Sequence, residues 1–198
     1  GSEMCIRDRT NINVIRQLFE RHGFSFTKSL GQNFLINPAV CPKIAEMGGA
    51  KPGVCALEIG TGVGVLTKEL ATRCEKVIAV EIDTTLKPIL EETLAEFDNV
   101  EIVFADVMET DLAALLAEKA PGMEVVVCAN LPYYITSPVI MRVLESRLPV
   151  SAMTVMVQKE AADRICAKPG TRDCGAISCA VSYLSLIHIS EPTRLGMI

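Results

Sequence analysis

Five apolar runs, each followed by a stretch with helical spacing, restrict the possible folds of this chain more than any other feature. They are VCALEIG at 54–60, KVIAVEID at 76–83, VEIVFAD at 100–106, MEVVVCAN at 123–130 and AMTVMVQ at 152–158. A strand with one wet face alternates apolar and polar residues, whereas a strand covered on both faces reads as a largely continuous apolar run. Between the runs lie VLTKELATR, TTLKPILEETLAEF, DLAALLAEKA and SPVIMRVLESR, and KEAADRICA and AISCAVSYL follow the fifth. This alternation predicts an α/β chain: a doubly wound parallel sheet with helices on both faces. Two further helices are predicted ahead of the sheet. The first covers about 10–22 and stops at Gly23. The second runs from Pro38 to about Met47, with Asn37 as its cap. Ser137 and Pro138 read as the cap and first position of the helix after the fourth run, and Pro88 as a residue inside a helix or at its kink.

Composition narrows the class. The chain has 198 residues, 49% of them hydrophobic, which suits one packed domain rather than a disordered segment. No stretch approaches eighteen uninterrupted apolar residues, so no membrane span is expected. The eight cysteines form no C-x-x-C pair and only two histidines are present, so neither a metal site nor a disulfide framework is expected. Several cysteines sit in apolar runs and read as small buried hydrophobes of a reducing cytosol. The net charge of −5 weighs against a nucleic-acid partner, which usually meets a basic face.

The two ends read as foreign. GSEMCIRDR at 1–9 and LSLIHISEPTR at 184–194 can be encoded by one DNA sequence read on opposite strands, as adapter flanking an insert would be. The expectation is a foreign segment at 1–9, a catalytic domain at 10–183 and a second foreign segment at 184–198, with both ends excluded from any site.

Four features carry chemistry. Glu58-Ile59-Gly60-Thr61-Gly62-Val63-Gly64 joins the first strand to the first crossover helix, where glycines let backbone approach a ligand. In a doubly wound sheet, ligands bind beyond the carboxyl ends of the strands. Glu81 ends the second strand, where an acidic side chain can accept from both ribose hydroxyls of an adenosine-type cofactor. Asp106 ends the third strand and is placed to meet an adenine amine or to cap the next turn. Asn130-Leu131-Pro132-Tyr133 follows the fourth strand. An amide oxygen, a backbone carbonyl and an aromatic face in one turn form a receptor for a planar amino group, such as that of a flipped base.

LGQNFL at 30–35, LEIGTGVGVLT at 57–67, VIAVEID, FADVM, NLPYYITSP at 130–138 and VQKEAADRI at 157–165 together resemble the adenine dimethyltransferases of small-subunit ribosomal RNA. The resemblance runs from about Thr10 to Tyr183. It implies a Rossmann-like methyltransferase fold and S-adenosyl-L-methionine as cofactor, held by Gln32, Asn33, Leu35, Gly60, Gly62, Glu81, Asp106 and Asn130. It implies a catalytic turn of Asn130, Leu131, Pro132 and Tyr133, with Tyr133 stacking on the target adenine and Tyr134 at its entrance. Lys28 is placed to meet RNA phosphate. The implied partner is 16S ribosomal RNA in the immature 30S subunit, acted on by a cytoplasmic monomer without a metal.

The chain departs from that family in two ways. The family's sheet continues with two more strands after 175–183 and then a small helical domain. The expected sheet here therefore has five parallel strands with an open edge at the fifth, a hazard for aggregation. The second departure is Cys174-Gly175, where a tyrosine-glycine pair is commoner in the family. Three other readings stay open: a large-subunit methyltransferase of the erythromycin-resistance type, a non-catalytic ribosome assembly factor, and a nicotinamide-dependent dehydrogenase. The last lacks a G-x-G-x-x-G pattern and leaves the NLPY turn unexplained.

Overall fold

The computed structural model describes residues 12–23, 37–132, 134–146 and 148–184. The five apolar runs form five strands: β1 Val54–Ile59, β2 Lys76–Glu81, β3 Val100–Phe104, β4 Glu124–Asn130 and β5 Val150–Met156. All pair in parallel, in the order β3-β2-β1-β4-β5. The chain winds outward from β1 through β2 to β3, then returns to place β4 against the free side of β1. The strand order therefore reverses between β1 and β4, and a crevice opens beyond their carboxyl ends.

Alternate residues of each strand feed two cores. Cys55, Leu57 and Ile59 of β1, Ile78 and Val80 of β2 and Val125, Val127 and Ala129 of β4 pack beneath α5 (Leu112–Lys119) and α6 (Thr136–Glu145). Val54, Ala56, Val77, Val126 and Cys128 face α2 (Val40–Met47) and α3 (Val65–Ala71) on the other side. On that same side α1 (Ile12–Arg21) and α4 (Lys87–Thr93) close over β3 through Ile15, Phe19, Ile89, Leu90 and Ile102. Lastly, α7 (Lys159–Ile165) and α8 (Ala176–Leu184) pack on α6 and β5 through Ile140, Ile165 and Val181. Every residue of β1 is buried, as is all of β4 between its first and last residues. Each such Val, Leu or Ile contributes about 1.5–3 kcal/mol by leaving water. The edge strands β3 and β5 are only half-buried.

Helix starts differ most from expectation. Pro88 kinks nothing: residues 84–86 form a separate 3-10 turn, and α4 begins at Lys87 with the proline in its first turn, where a missing N–H costs no hydrogen bond. Asn37 does not cap α2. Its side chain accepts from Ala39 N at 3.0 Å in a turn of its own, and the helix starts at Val40. Ser137 is likewise inside α6, because Ile135 N donates to Pro132 O and starts the coil one residue ahead of it. The fifth strand lies two residues earlier than read, with a register shift against β4 between Val125 and Val126. Among the described cysteines, Cys41, Cys55, Cys74 and Cys128 are buried as expected, whereas Cys166 and Cys174 are half-buried and Cys179 is exposed. No described helix is long and apolar enough to cross a membrane. Of the ends read as foreign, only Leu184 lies among the described residues.

Candidate active site

The register of the sheet assembles the site. Ile59 stands beside Ala129 in the β1–β4 pairing, so Gly60, the first residue past β1, and Asn130, the last of β4, lie side by side at the rim of the sheet. Ile59 also stands beside Val80, which puts Glu81 on the other flank of Gly60. A cavity of about 290 Å³ opens at this rim. Gly60, Gly62, Glu81, Asp106, Asn130, Leu131 and Pro132 all line it, and so do Glu58 and the half-exposed Tyr134. The described site residues, scattered from position 60 to position 132 of the sequence, are thus brought to one place.

The glycine loop is built around a carboxylate. Glu81 Oε2 accepts from Thr61 N at 2.8 Å, Thr61 Oγ1 at 2.9 Å and Gly62 N at 3.2 Å, while Oε1 accepts from Asp83 N at 2.9 Å. Three donors saturate Oε2, so the acceptor capacity left for a ribose hydroxyl is on Oε1. Gly60 has φ +78° and open space where a Cβ would stand, so ligand atoms can come close to the backbone there. Gly64 has φ +82° and caps α3, and a Cβ there would meet Leu94, Thr93 and Leu90 at 3.3–3.4 Å. Gly60 keeps a ligand surface open, whereas Gly64 lets the loop seat against α4.

Asp106 caps the turn that follows it, its Oδ1 accepting from Met108 N at 2.8 Å, and it also lines the cavity. In the turn after β4, Leu131 N donates to Met156 O at 3.2 Å, and the Pro132 carbonyl accepts from Ile135 N and Thr136 Oγ1. These bonds tie the turn to β5 and to the start of α6. Gln32, Asn33, Leu35 and Lys28, together with Tyr133, lie outside the described residues.

Glu58 was not singled out by the sequence reading. It is fully buried near the end of β1 and lines the cavity, yet neither of its carboxylate oxygens has a hydrogen-bond partner. Burial pushes its pKa up to about 8, and the charge on Glu81 adds to the shift. The Thr67 hydroxyl lies nearby without a hydrogen bond of its own and offsets only part of it. The signal was present: an acidic residue inside an otherwise apolar, doubly covered strand has to be compensated by something. An unpartnered carboxyl lining a cavity beside an open glycine backbone suits a ligand that carries positive charge. Among the described residues, no group of three or more His, Cys, Asp or Glu side chains is arranged to hold a metal ion.

A parallel sheet whose strand order turns back at β1, with a glycine loop on one side of the switch and an Asn-Leu-Pro turn on the other, defines a Rossmann-like methyltransferase domain. Its fold matches a dimethyladenosine transferase from Plasmodium falciparum with a TM-score of 0.60 and 30% identity, over 74% of this chain and 50% of that one. It matches the 23S rRNA methyltransferase ErmE with a TM-score of 0.58 and 31% identity, over 70% of this chain and 53% of that one. The chain belongs to the ribosomal RNA adenine dimethylase family, whose model matches residues 23–193. A "Ribosomal RNA small subunit methyltransferase A" from Geobacillus kaustophilus is 52% identical over 169 residues. That alignment covers 85% of this chain and 58% of the relative, so the chain spans under two thirds of the relative's length.

Proposed function

We propose that this chain is the catalytic part, residues 10–183, of an enzyme that dimethylates the exocyclic amines of two adjacent adenines in small-subunit ribosomal RNA. The observation that carries the reading is the placement of Gly60 and Asn130 on neighbouring strand ends at one cavity. The proposed cofactor, S-adenosyl-L-methionine, supplies an electrophilic sulfonium methyl when bound. Glu81 Oε1 would hold its ribose, Asp106 its adenine, and the backbone of Gly60 and Gly62 its flank, while the unpartnered Glu58 answers its positive charge. Gln32, Asn33 and Leu35 are assigned to the same site from the resemblance alone.

On the other side of the switch, the Asn130 side-chain oxygen and the Leu131 carbonyl accept from the target amine and aim its nitrogen at the methyl. Pro132 holds that geometry by fixing φ, and the bonds from its carbonyl to α6 brace it. Stacking on the base is assigned to Tyr133 from the resemblance alone, and Tyr134 lines the cavity. Positioning supplies most of the acceleration, since attack needs only a near, in-line approach. The same acceptors stabilise the positive charge that develops on the amine. No strong base is required, because the methylated amine is very acidic. The assigned setting is a cytoplasmic monomer acting on immature small subunits.

The two solved structures resemble this fold about equally, so the choice of small-subunit over large-subunit RNA rests on the sequence: the LGQNFL and NLPYYITSP runs and the 52% identical relative. The test is tritiated-methyl transfer by the full-length protein to immature small subunits and, separately, to large-subunit RNA. Label should appear on two adjacent adenines of the small-subunit RNA and be lost in Asn130→Ala, with RNA binding spared. Label confined to large-subunit RNA would move the chain to the other branch, and activity surviving in Asn130→Ala would overturn the role of the turn.

A further inference from the structure

Away from the cavity, two sulfurs meet. Cys174 ends the loop after α7, and Cys179 lies five residues on, within α8 (Ala176–Leu184). Their Sγ atoms are 3.5 Å apart. A disulfide needs about 2.05 Å, so the pair is about 1.5 Å from bonding distance. The local backbone holds them there: Cys174 N donates to Thr171 O at 3.1 Å, and Cys179 N donates to Gly175 O at 3.1 Å. The Ser178 hydroxyl accepts from Gly175 N at 2.8 Å and lies 3.5 Å from Cys174 Sγ.

The two thiols are unequal. The Ser178 hydroxyl, which donates to Gly175 O at 2.9 Å and shares its proton with Cys174 Sγ, and then Cys179 lower Cys174 from the ordinary thiol value, and Cys174 in turn raises Cys179. Cys174 is half-buried and Cys179 exposed, so solvent-borne reagents reach the pair. The core thiols are the opposite case: burial pushes Cys41 and Cys128 up to about 12 and Cys55 to about 11, and all three are buried. Two accessible thiols in contact are the arrangement of a redox-responsive site.

We propose that Cys174 and Cys179 form a hydroperoxide-reactive dithiol that closes reversibly to a disulfide. The Cys174 thiolate attacks one peroxide oxygen. The O–O bond breaks, the sulfur is oxidised to a sulfenic acid, and the departing hydroxide takes up the thiol proton as water. Cys179 then attacks the sulfenic sulfur. The S–S bond forms, the S–O bond breaks, and the second hydroxide leaves as water with the Cys179 proton. Two thiols and one hydrogen peroxide give one disulfide and two waters, and an external dithiol reverses the step.

Both cysteines fall in one tryptic peptide, the one that begins at Asp173, because no Lys or Arg follows Arg172 before Arg194. The reduced chain is treated with one equivalent of hydrogen peroxide at neutral pH, alkylated, digested and weighed. The expected peptide is about 2 Da lighter than its reduced form and carries no alkyl group, and dithiothreitol restores both alkylation sites. Cys179→Ser should trap a dimedone-reactive sulfenic acid at Cys174, and Cys174→Ser should slow oxidation at least tenfold. Full alkylation of the peptide after peroxide, sulfinic acid at Cys174 beside an alkylated Cys179, or undiminished reaction in Cys174→Ser would each overturn the proposal.

Discussion

Two glutamates stand at the ends of neighbouring strands, and the protein treats them in opposite ways. Glu81 ends β2 with four donors on its carboxylate and organises the glycine loop. Glu58, one residue from the end of β1, is as deeply buried and has no partner for either oxygen. The first is structural whatever else it does, because the loop's backbone hangs on it. The second braces nothing and weakens the fold, since a buried carboxyl without hydrogen bonds costs several kcal/mol or stays protonated. A site can thus hold one carboxylate ready by satisfying it and keep another for the ligand by leaving it unsatisfied.

The most severe way to break this contrast is Glu81→Ala. It strands Thr61 N, Gly62 N and Asp83 N, each an unpaired donor worth about 1–3 kcal/mol. A loss on the order of 4 kcal/mol is expected in urea unfolding, with cofactor binding lost as well; a loss under about 1 kcal/mol would mean that the loop holds itself.

Glu58→Gln comes next and should act in the other direction. The folded pKa of Glu58, about 8, lies above the unfolded value of 4.5, so its contribution is complete below pH 4.5, falls as pH rises through that window, and levels off above about 8. At about 1.4 kcal/mol per unit, the wild-type chain should lose roughly 3–5 kcal/mol from this group across the window, and Glu58→Gln should not. The variant should therefore be the more stable protein at pH 8 in denaturant melts, yet bind S-adenosyl-L-methionine about tenfold more weakly by calorimetry, a difference of about 1.4 kcal/mol. Equal binding by both proteins would remove Glu58 from the ligand's surroundings.

The gentlest probe compares two glycines of the loop. Gly64→Ala meets both the left-handed backbone and the packed side chains of Leu94, Thr93 and Leu90, and should cost about 2 kcal/mol in thermal or urea unfolding. Gly60→Ala meets only the backbone penalty, about 1 kcal/mol, and should instead show its effect in cofactor affinity. Indistinguishable effects on stability and binding would mean that the two glycines do not divide the work as described.

The sheet was legible because doubly covered strands must be apolar along their whole length, and β1 to β4 begin and end within two residues of their runs. Helix starts were less so. Asn37, Ser137 and Pro88 each carry a local preference for a start, but a turn one or two residues away can satisfy the same groups, and packing chooses between them. Gly60, Gly62, Glu81, Asp106 and Asn130 line one cavity because each sits at or just beyond a strand end, where a parallel sheet opens its crevice. Glu58 and the Cys174–Cys179 contact were not found. The worth of a buried carboxyl depends on whether a neighbour answers it, and the meeting of two thiols depends on how one loop folds onto its helix.

What the amino-acid order decided alone was the alternation of buried strand and helix and the chemistry stationed at each strand end, because periodicity and residue type are properties of short segments. Only the tertiary structure decided which ends become neighbours. The return of β4 to the side of β1 sets Gly60 against Asn130, a separation of seventy residues closed by strand pairing and core burial rather than by any local preference.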